Sequence, residues 1–259
     1  LTRLGWDSIG DHVYERGVDR GVLYVDGLDG VAWNGLITVS EKPSGGHQPY
    51  YIDGSKFNQD SASEDFDLTI DAFTYPSEFE SCEGIDSFNT GLYLTSQPRK
   101  SFGFSYRTLI GNDTSSDAGY KIHIVYNAMA MPTGRNNLSE SSQVNPLIFS
   151  WDVQTVPIPI PGFKSTSHIV IDSRVISGPA LSGIEDILYG SGSTAPRIPT
   201  VSELSAVIDV YAGLLVIDYG DGTANISGVS VVMIDANTYT INWPSVVEID
   251  ANTYKVTTS

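Results

Sequence analysis

Phe66-Asp67-Leu68-Thr69-Ile70-Asp71-Ala72-Phe73 decides the fold class. Apolar side chains fall at every second position, Phe66, Leu68, Ile70 and Ala72, and Asp67, Thr69 and Asp71 take the positions between them. Successive side chains of an extended backbone point to opposite faces, so a period of two marks a half-buried strand. The same arithmetic holds at Phe102, Phe104 and Tyr106 against Gly103, Ser105 and Arg107, at Ile122, Ile124 and Tyr126, and at Phe149, Trp151 and Val153. Runs of this length predict an antiparallel sheet with one face on a core and the other in water. Val31 to Lys42 adds a strand pair or one bent strand, with Asn34-Gly35 as a tight turn or a bulge.

Between these runs lie polar stretches rich in Gly, Pro and Ser: Glu41 to Pro49, Gly111 to Gly119 and Pro132 to Pro146. They are long for hairpin turns, and the first is expected to be a loop that reaches out as an arm. Two short helices are predicted. Leu181, Ile184, Ile187 and Leu188 share a helical face after Pro179, with Gly190 as the stop. Thr200 with Glu203 forms a capping-box pattern ahead of Leu204, Val207, Ile208 and Tyr211. After Gly213 the texture turns to short Val, Ile and Thr runs, in which Ile234-Asp-Ala-Asn-Thr-Tyr239 recurs as Ile249-Asp-Ala-Asn-Thr-Tyr254. The expected division is a main domain over 1–212 and a small β-rich appendage over 213–259.

The 259 residues, 41% hydrophobic and 17% charged, are enough to build a core without staples. Cys82 is the single cysteine, which excludes an internal disulfide and any cysteine cluster for zinc. The charged start, Leu1 to Asp7, and the absence of a long apolar run predict neither export nor a membrane span. With 31 acidic against 14 basic residues, the net charge of −17 excludes a surface built to grip nucleic-acid phosphates. The acids are uneven: Phe57 to Pro98 and Ile198 to Tyr254 contain no Lys or Arg, which predicts surfaces with different tasks.

No motif carries an enzyme's chemistry. There is no nucleophile elbow, phosphate loop or dinucleotide fingerprint. His12, His47, His123 and His168 are scattered, none spaced to share a metal with another, so no metal and no cofactor are expected. His123 alternates with Ile122 and Ile124, which turns it toward solvent or a subunit contact. Asp113 with Asp117, and Asp218 with Asp221, lack the remainder of a calcium loop.

Longer strings carry a resemblance. Gly30-Val-Ala-Trp-Asn-Gly-Leu36, Pro49-Tyr-Tyr-Ile-Asp-Gly54, Pro98-Arg-Lys-Ser-Phe-Gly-Phe-Ser-Tyr-Arg-Thr108, Gly119-Tyr-Lys-Ile-His123, Phe149-Ser-Trp-Asp-Val153 and Glu185-Asp-Ile-Leu-Tyr-Gly190 resemble segments of the major tail tube proteins of actinobacterial siphophages, long-tailed bacteriophages. The likeness covers roughly Leu1 to Tyr211. It implies a mainly β, tail-tube-like sandwich with one or two flanking helices, a structural virion protein that is not an enzyme. It further implies six-fold rings stacked into a tube that conducts genomic DNA, with tape measure, terminator and tip proteins as partners. On that reading Asp67, Asp71 and Asp152 are expected to face the lumen. Glu41, Lys42, Pro43, Gly45, Gly46 and His47 are expected to form an arm between rings. The alternative is a carbohydrate-binding β-domain or adhesin of a phage tail, using some of the fourteen Tyr and four Trp for stacking.

Overall fold

The computed structural model describes the chain apart from residues 1–5, 7, 46, 54, 62–64, 138, 140–145, 213–214, 219–223, 228–230, 236–237, 242–245, 251–252 and 257–259, and gives backbone alone for 47–51, 56–61 and the elements beyond 209. Twelve strands precede residue 200: β1 (Val13–Val25), β2 (Val31–Trp33), β3 (Leu36–Ser44), β4 (His47–Ile52), β5 (Ser55–Ser61), β6 (Asp65–Ala72), β7 (Asp86–Asn89), β8 (Leu92–Leu94), β9 (Phe102–Asn112), β10 (Gly119–Ala130), β11 (Phe149–Thr155) and β12 (His168–Asp172). Three helices accompany them: the single turn α1 (Glu80–Glu83), α2 (Gly178–Tyr189) and α3 (Val201–Ala212). The architecture is mainly β and antiparallel, as the alternation predicts.

The main sheet runs β2-β1-β9-β10-β11-β6-β3, and β12 also pairs with β10. β2 and β11 are four ladder places apart, about 19 Å in a flat sheet. Yet the rings of Trp33 on β2 and Trp151 on β11 lie 5.6 Å apart, so the sheet curls over on itself. One hinge of that curl is β10. It pairs with β12 over Lys121 to Val125 and with β11 over Ala128 to Ala130. A bulge between Val125 and Ala128 bends the strand there, and Asn127 takes a positive φ of 47°.

The curl encloses one core and exposes a second apolar face. Inside are Leu23, Val25, Trp33, Leu68, Ile70, Phe79, Phe102, Phe104, Tyr106, Trp151 and Val153, with Cys82 buried among them. Phe79 packs edge-on against Phe102 and Trp151 at 5.4 and 5.2 Å. On the opposite face of β1 and β10, Val22, Tyr24, Ile122, Ile124 and Tyr126 meet Ile184, Leu188 and Leu204 of α2 and α3. Two tyrosines fasten this helical layer. Tyr24 Oη donates to the Leu188 carbonyl (2.8 Å) and bonds Ser105 Oγ (3.0 Å), and Tyr126 Oη donates to the Pro199 carbonyl (2.9 Å). Gly103 lets the connector pass over β9, since a Cβ there would lie 2.5 Å from Ile198 Cδ1. The central strands are therefore buried on both faces, where alternation predicted half-burial.

Both predicted helices form. Gly190 ends α2 with a φ of 83°. Thr200 Oγ1 accepts the Glu203 N–H (3.2 Å) and Glu203 Oε2 accepts the Thr200 N–H (2.8 Å), a reciprocal capping box that starts α3. Asn34-Gly35 forms a turn and not a bulge, but the turn closes no hairpin. β2 pairs with β1 and β3 with β6, so the dipeptide is a corner carrying the chain from one end of the sheet order to the other. The Trp33 indole N–H donates to the Thr74 carbonyl (2.9 Å) and the Phe73 N–H to the Gly35 carbonyl (2.8 Å), which pin that corner.

Beyond α3 lie three two-stranded ladders: β13 (Leu215–Asp218) with β14 (Ala224–Ser227), β15 (Val231–Asp235) with β16 (Thr238–Ile241), and β17 (Val246–Asp250) with β18 (Thr253–Val256). The repeated hexapeptide explains the last two. Asp235 pairs Thr238 and Asp250 pairs Thr253, with the same register shift in each.

Candidate functional site

Three surfaces and one buried cluster stand out. The first surface is the edge formed by β3. It pairs with β6 from Leu36↔Ala72 to Ser44↔Asp65, and no described strand pairs with its other side. Near Leu36 the curl almost closes, since a Cβ on Gly21 of β1 would lie 2.3 Å from Leu36 Cδ1. Past that point the edge is open. The residues expected to form a loop-like arm are corrected here: Glu41, Lys42 and Pro43 are strand residues of β3. A proline is admissible because an edge strand can point the missing N–H away from its neighbour. Gly45 follows the strand, Gly46 lies outside the described residues, and His47 opens β4. What projects is the β4–β5 hairpin, a two-stranded ladder separate from the main sheet.

The second surface is the outer face of β3, β6 and β11. Register puts Thr38 beside Asp71, Ser40 beside Thr69, Lys42 beside Asp67, and Asp152 beside Thr69. Leu68, Ile70, Trp151 and Val153 point the other way into the core. Asp67, Asp71 and Asp152 thus share one polar face. Asp71 accepts the Thr38 hydroxyl (2.6 Å), and Asp152 accepts the Thr69 hydroxyl (2.7 Å) and Lys42 Nζ (3.0 Å). The Thr69 and Lys42 bonds hold the Asp152 carboxyl below the usual carboxylate range. With Asp65 on the same side of β6, four carboxylates against the Lys42 ammonium leave this face negative.

The third surface was not foreseen in the sequence. β7 and β8 form a hairpin outside the main sheet, and it presents Phe88 (70% exposed), Tyr93 (53%), Leu92 (51%) and Leu94 (42%) to solvent. Four large apolar side chains on one short hairpin are an unusual outlay for a surface that stays in water. The pattern is visible in Phe88-Asn-Thr-Gly-Leu-Tyr-Leu94, but its acidic surroundings mask it.

The buried cluster corrects the expectation for His123 and brings His168 to it. His123 is 6% exposed and lies inside the curl, stacked on Tyr106 with ring centroids 4.6 Å apart. His123 and His168 also meet, Nδ1 to Nε2 at 3.1 Å, because β10 and β12 are ladder neighbours. Glu41, on the inward side of β3, brings Oε1 to 3.3 Å from His123 Nδ1 and accepts the Tyr106 hydroxyl at 2.7 Å. The bonds from His123 and Tyr106 hold the Glu41 carboxyl down to about 2. Burial pushes His168 down to about 4. Residues 41, 123 and 168 give no linear motif, so only the ladder pairing unites them.

A groove of about 530 Å³ between β1, the Asn34-Gly35 corner and the end of α2 is lined by Asp19, Arg20, Trp33 and Tyr189. It does not assemble an acid–base pair, because Arg107 Nε (2.8 Å) and Nη2 (2.7 Å) already clamp Asp19. Among the described residues, no helix is long and apolar enough to cross a membrane.

No family model and no curated protein matches the chain. Eight solved chains match, among them the following two. One is in the PVC sheath-tube complex of an extracellular contractile injection system in its extended state, 11% identical over 59% of this chain and 88% of that chain, with a TM-score of 0.35. The other is in the six-fold symmetrised baseplate of the anti-feeding prophage AFP, 7% identical over 65% of this chain and 97% of that chain, with a TM-score of 0.34. Neither overlap is close enough to transfer a function, so what the chain does is read from its own surfaces.

Proposed function

We propose that the chain is the self-assembling tube subunit of a phage tail, of the long-tailed actinobacterial kind its sequence resembles. The observation that carries this reading is the edge of β3, open past its Leu36 end and continuing toward the β4–β5 hairpin. An exposed edge of that length is a template for another strand, and proteins that remain monomeric blunt it. Pro43 is the one residue of β3 without a backbone N–H, so the edge keeps its other outward donors. A strand from a second copy would satisfy the edge, and a head-to-tail contact of this kind closes into a ring or winds into a filament.

The remaining surfaces take roles in the same assembly. The β7–β8 hairpin supplies apolar area for a contact between copies. The β4–β5 hairpin, in place of Glu41 to His47 alone, is the arm to a neighbouring ring. The face bearing Asp67, Asp71 and Asp152 lines the lumen, where fixed negative charge repels phosphates and lets DNA pass without sticking. Six copies per ring, a virion location, and tape measure, terminator and tip partners are what the resemblance implies. An architectural subunit of this kind needs no catalytic residue.

Electron microscopy of the purified chain over a concentration series tests the proposal. Rings or tubes with a central channel are the expected result. Particles that stay single at every concentration and bind an immobilised glycan would replace the tube with the adhesin reading.

A further inference from the structure

We propose that Glu41, His123 and His168 form a binding site for a divalent transition metal such as zinc. Glu41 Oε1, His123 Nδ1 and His168 Nε2 all lie within 4.8 Å of one another. Two of the separations are 3.3 Å (Oε1 to Nδ1) and 3.1 Å (Nδ1 to Nε2). Ligands about 2.0–2.1 Å from a tetrahedral zinc ion stand roughly 3.3–3.4 Å apart, close to these two separations.

Proton placement points the same way. The Glu15 carboxylate, held below its usual range chiefly by its bond from Lys121, can only accept. Thr108 Oγ1, 3.2 Å from Glu15 Oε2, therefore directs its one proton there. With the Thr108 proton so directed, His123 Nε2, 3.0 Å from the same oxygen, donates to it. His123 Nδ1 faces the Glu41 carboxylate at 3.3 Å, and a metal ion would take the place of the proton that otherwise bonds the two. A metal ion at the point where the three groups meet would take one lone pair from each of them.

The surroundings are those of a built site. The chain from His123 Nε2 through Thr108 to Glu15 is the outer hydrogen bonding that fixes a metal-ligating histidine's tautomer and ring orientation. Tyr106 stacks on His123 and bonds Glu41, while Phe66 stacks on His168 at 4.2 Å. Glu41 keeps 37% of its side chain exposed, which leaves a route for the ion and a position for water. Two imidazoles and one carboxylate suit zinc and its neighbours better than magnesium or calcium. The ion would clasp β3, the open-edged strand, to β10 and β12 across the mouth of the curl. This inference does not depend on the tube proposal.

The test is calorimetric titration of the metal-stripped full chain with Zn²⁺ at neutral pH, followed by Co²⁺ and its visible spectrum. One ion per chain is expected. His168→Gln and Glu41→Gln should each weaken binding at least ~100-fold and Thr108→Val ~10–100-fold, while His12→Gln and His47→Gln bind as the parent does. Should His168→Gln fail to fold, Glu41→Gln on the exposed side and the histidine ¹⁵N resonances of the parent, which Zn²⁺ must shift, carry the test. No uptake, uptake unaffected by the ligand variants, or a His123 ring protonated at both nitrogens and indifferent to Zn²⁺ would overturn the site.

Discussion

Replacing Phe88 on the β7–β8 hairpin separates assembly from folding. Phe88 is 70% exposed in the single chain, so its substitution should move chain stability by no more than about 0.5 kcal/mol. Full burial of a phenylalanine contributes about 1.5–3 kcal/mol, and with most of the ring still in water about 1–2 kcal/mol remains to be gained at a contact between copies. Phe88→Ala should forfeit that amount, a ~5–30-fold loss in each association constant. Phe88→Asp adds the desolvation of a carboxylate, and a combined loss above ~3 kcal/mol exceeds 100-fold per contact. Sedimentation velocity across a concentration series reads the assembly threshold, and thermal unfolding reads the monomer. The expected result is a threshold rising in the order parent, Ala, Asp at a constant melting temperature. Variants that all assemble at the parent's concentration would remove the hairpin from the interface.

Two further outcomes follow from the helical layer. Tyr24→Phe strands the Leu188 carbonyl and leaves Ser105 with one partner fewer in a buried place, so it should cost about 1–3 kcal/mol and lower the melting temperature by roughly 2–10 °C, read by calorimetry. The Glu203 carboxyl is held at about 2, against an ordinary 4.5, by Arg197 and by Thr200. A carboxylate lowered by folding contributes stability that is whole above pH 4.5 and lost as pH falls toward 2. The melting temperature should decline through that window, and Glu203→Gln should flatten the decline; an unchanged profile would discount the capping box as an acid-sensitive element.

The sequence was most legible where one physical demand acted at a time. Phe66 to Ala72 alternates because one face meets the core and the other water, and the strand forms where the pattern puts it. The Thr200–Glu203 box and the Gly190 stop were readable because caps are local. Glu41 to Ser44 was misread because the strand's inward residue there is a carboxylate that serves His123 and Tyr106, and a polar run containing Pro43 carries no alternation to see. His123 was misplaced for a related reason. An inward histidine between two isoleucines looks solvent-facing until the second layer, α2 and α3, shows that both faces of β10 are buried. The three-residue cluster depends on β3, β10 and β12 meeting, a long-range fact that no linear spacing records.

The account depends on β3 offering its free edge to another copy. Hydrogen–deuterium exchange of the Leu36–Ser44 segment, measured in dilute and in concentrated protein, tests this directly. The account predicts rapid exchange at the outward amides when dilute and strong protection on assembly, while β9, already paired on both sides, stays unchanged. Assembled particles in which those amides exchange as fast as in the single chain would contradict it.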